Sequence, residues 1–364
     1  MKKYIYIDDE DDKSIQPIVE GINRRGKIVV ERLPLERDEP INNVYEKLMS
    51  YPYDGIIIDY MLNGSGPFHI GCNSHSIAQY VRDLADSGSI RSCPIVLCST
   101  DQNLHQQLQK GYTSNDLYDY HLAKDYRIDY DCTATRLESL VNGYERIANK
   151  SNDIANILGR DITLLDMRPF KPFLNAERNA QQCADVILKD LFRYSGILIS
   201  EEILCTRLGI ARTASFLEIT NLFKAAKYTG IFYEWGDYFW MDLVRDVFQD
   251  IFQANIAALD ANEKVALLRK RFQDITIEKA PVDPHNVSKR LWTNCIATGV
   301  ALDPMEGYQV QELDGLKPWQ ECRYVSFSAI SSGEADQVGQ IQDGEMARFL
   351  QKVDFLKEGN NEEG

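Results

Sequence analysis

The chain has 364 residues, 44% of them hydrophobic and 26% charged, with a net charge of −15 and a pI of about 4.9. That composition suits a globular soluble protein with a sizeable core and a soft expectation of two domains. It disfavours broad nucleic-acid binding, because an acidic chain repels phosphate backbones. No stretch approaches the roughly 18 consecutive apolar residues of a membrane span, and MKKYIYIDD has too short an apolar run for a secretory signal. The eight cysteines form no CxxC pair and several lie inside apolar runs, which predicts free thiols in a reducing cytoplasm.

Taken in chain order, YIYI (4–7) predicts a first strand, followed at once by the acids Asp8 and Asp9. A helix is expected over 13–24, with Pro17 confined to its first turn. KIVVERLPL (27–35) reads as a second strand and NNVYEKLMSY (42–51) as a helix. DGIIIDYML (54–62) is a third strand, apolar throughout as a central parallel strand is. SIAQYVRDLADSG (76–88) is a helix with a glycine stop, CPIVLCST (93–100) a fourth strand and DQNLHQQLQKGY (101–112) a helix. DLYDYHLAK (116–124) is a fifth strand, and TATRLESLVNGYERIANK (133–150) closes the segment as a helix. Strands alternating with helices in this way argue an α/β fold, a doubly wound five-stranded parallel sheet over residues 1–150. Ligands of such sheets sit beyond the carboxyl ends of the strands, at the switch point of the strand order.

Beyond about residue 150 the pattern becomes mainly helical, and 151–364 is read as a separate output or interaction region. Ser200 followed by two glutamates predicts a helix start, Gly209 its stop, and ASFLEITNLFKAAKYTG (214–230) a second helix. YEWGDYFW (233–240) then reads as two short strands about a Gly-Asp turn. Helix, turn, helix, hairpin is the order of a winged-helix unit, placed at about 195–243. Helices are expected over 244–275 and 281–297, strands at YQVQEL (308–313) and CRYVSFSAI (322–330), and a last helix at 346–357. GNNEEG after it reads as a disordered tail.

The strand tips gather polar groups. Strand one ends at Asp8 and Asp9, strand three at Asp59, strand four at Ser99 and Thr100, and strand five at Lys124. In IYIDDE, IIIDYML, CPIVLCST and YHLAKD, in that order over residues 1–150, the chain resembles the receiver domain of two-component response regulators. The resemblance implies that Asp59 is a phosphoacceptor, a carboxylate nucleophile forming an acyl phosphate. It implies Mg²⁺ held by Asp8, Asp9, Asp59 and the backbone carbonyl of Met61. It makes Ser99 the switch hydroxyl and Lys124 the cation that pairs with a phosphoryl oxygen. Tyr120 matches an aromatic switch position. Glu10, Asp11 and Asp12 are read instead as the first turn of the following helix, where acids suit the positive dipole end. Asp125 stands where the family has a proline, Thr100 where a smaller residue is common, and the loop 63–75 after Asp59 is long enough to act as a lid or a partner-recognition insert.

Other constellations are weaker. His69, Cys72 and His75 have zinc-like spacing but no evident fourth ligand, so they read as a polar loop with an incidental thiol. No nucleotide-binding glycine motif is present, and His105, His121 and His285 stand alone. The second helix of the winged-helix-like unit offers Lys224 and Lys227, with Arg212 before it, but Glu218 sits on it, and residues 151–260 carry 11 Lys/Arg against 15 Asp/Glu. Major-groove readers are more basic than that, so a protein-contact module is favoured over a DNA reader. The aromatic cluster Phe232, Tyr233, Trp235, Tyr238, Phe239 and Trp240 reads as strand packing, and RRGK (24–27) as a solvated turn.

The sequence is therefore read as a cytoplasmic phosphorelay response regulator rather than an enzyme. Its expected phosphodonor is a histidine kinase and its output a protein partner met through the C-terminal region, with no membrane role. The resemblance also implies a place in bacterial anti-phage systems built on phosphorelay logic. The alternatives are a DNA-binding transcriptional regulator and a receiver-like adaptor that is never phosphorylated.

Overall fold

GIIID, residues 55–59, is buried at all five positions, as a strand covered on both faces must be. In the computed structural model, which describes residues 1–64, 66–100, 116–124, 128–149, 151–175, 178–213, 216–312 and 315–362, this segment is the centre of a five-stranded sheet. The strands are β1 (Lys2–Ile7), β2 (Ile28–Arg32), β3 (Gly55–Asp59), β4 (Ile95–Ser99) and β5 (Tyr120–Ala123). All pairings are parallel, and the order is β2-β1-β3-β4-β5. That is the flavodoxin-like order, which reverses between β1 and β3. Helices α1 (Asp12–Asn23), α2 (Ile41–Ser50), α3 (Ser74–Asp86) and α4 (Tyr130–Ala148) connect or close the strands. The predicted helix 101–112 lies outside the described residues.

Register follows from side-chain size. Tyr4 pairs with Gly55, and a Cβ at Gly55 would lie 2.3 Å from the Tyr4 ring, so only glycine admits the ring there. Ile5, Ile7, Ile56, Ile58, Ile95 and Leu97 form one face of the core with Val44, Leu48, Ile77 and Val81 from α2 and α3. At the β4–β5 edge, Arg82 of α3 donates to the Cys93 and Leu117 carbonyls and pairs with Asp119 at 2.9 Å. Tyr144 of α4 donates to the other Asp119 oxygen at 2.5 Å.

The helix after β1 starts earlier than its apolar spacing suggests. The Asp11 side chain accepts from the Ser14 N–H and caps α1, so Pro17 falls in the second turn rather than the first. Its missing donor forgoes one helical hydrogen bond.

The chain divides into two compact units, residues 1–189 with 229–235, and residues 190–228 with 236–364. In the second unit Ser200 does cap a helix, Glu201–Leu208, which ends at Gly209 with φ 75°. The expected hairpin at 233–240 does not form. Tyr238–Trp240 pairs antiparallel with Leu198–Ser200, and residue 227 adds a single bridge to Phe239. Tyr233–Trp235 is instead a 3₁₀ turn in the first unit. There Phe232, at φ 64°, lies over α4 where Gly143 leaves room: a Cβ at 143 would sit 2.1 Å from its ring. Burying Phe232 at that gap takes the place of a strand partner.

The expected helix 281–297 is also absent. Asp283 accepts from the His285 N–H and Ala301 donates to the Pro281 carbonyl, so local turns and a bridge consume the backbone groups, and only Thr293–Asn294 forms a strand. The strand expected at 322–330 is limited to Tyr324–Val325, because Ser326 caps a helix over Phe327–Ser332. The last helix runs Asp343–Glu362, through most of the segment read as a disordered tail. No helix among the described residues is long and apolar enough to cross a membrane.

Candidate functional site

The reversal of strand order puts the tips of β1 and β3 side by side. Ile7 pairs with Ile58, so Asp8 and Asp59 leave the sheet as neighbours, with Asp9 beyond. All three acids are buried, and one carboxylate oxygen from each falls within a 4.8 Å group. No other group of potential ligands among the described residues meets that spacing. His69, Cys72 and His75 are accordingly not assembled as a metal set. Burial pushes the Cys72 thiol up to about 11, and His75 packs edge-on against Tyr118.

Lys124 follows β5, and its N–H donates to the Ser99 carbonyl at 2.6 Å. Its ammonium lies 2.8 Å from an Asp8 oxygen and also pairs with Asp59. Burial opposes its charge, but Asp59 and Asp8 outweigh burial and hold the ammonium above the usual lysine range. Burial pushes the Asp59 carboxyl up to about 6; Lys124 pulls it down, and Asp8 adds to the rise. The Met61 N–H donates to the second Asp59 oxygen at 2.7 Å. Ser99 is buried at the tip of β4, one residue beyond Cys98, the register partner of Asp59. Thr100 is exposed, and Asp125 lies outside the described residues.

Several contributors carry no motif. Arg32, at the end of β2, donates to the backbone carbonyls of Asp8 and Glu10, pairs with Asp12 at 2.5 Å and stacks on the Phe68 ring at 4.2 Å. Phe68 belongs to the long loop after Asp59, and that loop does reach the site. The Phe68 N–H donates to the Asp9 carbonyl at 3.1 Å and the Gly64 N–H to the Asp9 carboxylate at 3.2 Å. The sequence signal is the glycine pair in NGSG, which marks a close backbone approach without saying to what. Tyr120 is half-buried at the start of β5, edge-on to Trp235 at 5.0 Å.

The donor set fits a hard divalent cation. Three carboxylates offer oxygen ligands, and among the described residues their mutual repulsion is met by the Lys124 ammonium, which leaves net negative charge in a buried place. A small cation that keeps part of its water shell suits one or two direct carboxylates better than a fully protein-built cage.

No family model and no curated protein matches the chain. Among solved structures, the chemotaxis protein CheY4 of Vibrio cholerae is 15% identical over 38% of this chain and 98% of that one, with a TM-score of 0.24. That score is too low to add to what the strand order establishes: a receiver-like, doubly wound sheet with an acidic cluster at its switch point.

Proposed function

We propose that residues 1–150 act as a receiver in a phosphorelay, accepting a phosphoryl group on Asp59 from a histidine kinase. The observation that carries this reading is the meeting of Asp8, Asp9 and Asp59 at the β1/β3 switch point, with Lys124 bridging Asp8 and Asp59. In the step, an Asp59 oxygen bonds to phosphorus as the donor's P–N bond breaks. The electron pair of that bond leaves on the imidazole nitrogen, and Asp59 becomes an acyl phosphate. Lys124 then exchanges its carboxylate partner for a phosphoryl oxygen, as a point charge. The Ser99 hydroxyl stands at the neighbouring strand tip to bond another. Mg²⁺ bound by Asp8, Asp9, Asp59 and the Met61 carbonyl would offset the repulsion between the acids and the phosphoryl oxygens.

The added charge would bias the loops around β4 and β5, and the region 151–364 would pass that change to a protein partner. The acidic balance of the C-terminal half and Glu218 on its second helix argue against DNA as that partner. Incubation with acetyl phosphate and Mg²⁺, followed by intact mass, tests the proposal. One added phosphoryl group in the wild type and none in Asp59→Asn is expected. Equal uptake by both would overturn the assignment of Asp59.

A further inference from the structure

Asp9 is held by a backbone feature that the strand tips do not supply. The Gly64 N–H donates to its Oδ2 at 3.2 Å, while the Phe68 N–H donates to its main-chain carbonyl at 3.1 Å. Both ends of Asp9 are thus bonded by one loop. Phe68 is in turn fixed by stacking on Arg32, whose guanidinium bonds the carbonyls of Asp8 and Glu10 on either side of Asp9.

Gly66 is what lets this loop come so close. A Cβ there would lie 2.2 Å from the Asp9 carbonyl oxygen and 2.8 Å from its carboxyl carbon. Contacts that short are not met by real side chains, and Asp9 is buried just beyond the tip of β1 with little room to give way. The loop must move instead. Gly71, a few residues on in the same loop, has nothing within 4 Å of its ideal Cβ. The tight approach is therefore specific to Gly66 and, less severely, to Gly64, whose Cβ would lie 3.0 Å from Asp9 Oδ2.

An ionised carboxylate offers about four lone-pair sites, so one held by backbone N–H groups of a loop still has a site left for a cation. The loop thus fixes the rotamer of Asp9 without using up its ligand capacity. Partners of this kind around a metal ligand commonly change metal affinity by about 10- to 100-fold when removed.

We infer that Gly66 is a positioning residue for the cation site: it admits the loop that pre-orients the Asp9 carboxylate for Mg²⁺. This rests on the cation reading proposed above. The test is Mg²⁺ titration of the full chain by calorimetry, comparing wild type, Gly66→Ala, Gly64→Ala and Gly71→Ala, each checked for folding by circular dichroism.

The expected result is wild-type affinity in Gly71→Ala, a smaller loss in Gly64→Ala and a loss of about 10-fold in Gly66→Ala. If Gly66→Ala does not fold, the comparison of Gly64→Ala with Gly71→Ala decides, and equal affinities overturn the inference. Wild-type affinity in a folded Gly66→Ala overturns it while leaving the cation reading intact. Absence of Mg²⁺ binding in the wild type overturns both.

Discussion

Asp59 holds its proton to about pH 6 in the folded chain, against an ordinary value of 3.8. An unfolded chain releases that proton near the ordinary value. Between the two, the folded state binds more protons, so stability falls as pH rises through this window and the loss is complete above about pH 6. About two pH units correspond to about 3 kcal/mol. Asp185, likewise pushed up to about 6 by burial, acts in the same sense. In urea unfolding with a chelator present, Asp59→Asn should lose about 3 kcal/mol less than wild type between about pH 4 and about pH 7. An equal loss in both proteins would contradict the burial of an ionised Asp59. The residues of this site differ in how legible they are. Asp8, Asp9, Asp59 and Lys124 can be read because each ends an apolar run, and the strand carries it to the tip. Arg32 and Gly66 cannot, because their roles depend on a contact between β2, the end of β1 and a loop more than thirty residues away from Arg32.

At the scale of elements, β5 is anchored by one buried network. The Asp119 carboxylate takes bonds from Arg82, from Tyr144 and from the Ile95 N–H, and both members of its ion pair are nearly sealed from solvent. Asp119→Ala would leave the Arg82 guanidinium buried and unpaired, so a loss of about 3–5 kcal/mol is expected in urea unfolding. A loss under about 1 kcal/mol, the value of a solvated pair, would show that water reaches the site. Helix α4 carries a second test. Gly143→Ala would drive a methyl group into the Phe232 ring, at an expected cost of about 1–3 kcal/mol and with a change in fluorescence from Trp235, three residues on. An unchanged midpoint and spectrum would mean that the segment 229–235 does not rest on α4. The strands of the sheet were readable because buried parallel strands are uninterrupted apolar runs. The hairpin at 233–240 misled because its aromatic residues satisfy a strand pattern equally well whether they meet a strand or a helix with a glycine gap.

At the scale of the whole molecule, the chain leaves its first unit at Asp190, returns for residues 229–235 and leaves again. Composition marks no such return, because seven residues are too few to shift it. The second unit was harder to read for the same physical reason throughout. Its strands are only two or three residues long, and its turns are set by side-chain caps such as Ser326 and Asp283 rather than by periodicity. The first unit is the opposite case, with long apolar strands in the order that places three acids and a lysine together. The central claim is that Asp59 is the acceptor among those acids. Borohydride reduces an acyl phosphate to the alcohol, which turns a phosphorylated aspartate into homoserine. Treating the chain with acetyl phosphate, Mg²⁺ and then borohydride, and sequencing its peptides by mass, should place homoserine at position 59 alone. Homoserine at Asp8 or Asp9, or at no position in folded protein that takes up phosphate, would contradict the account.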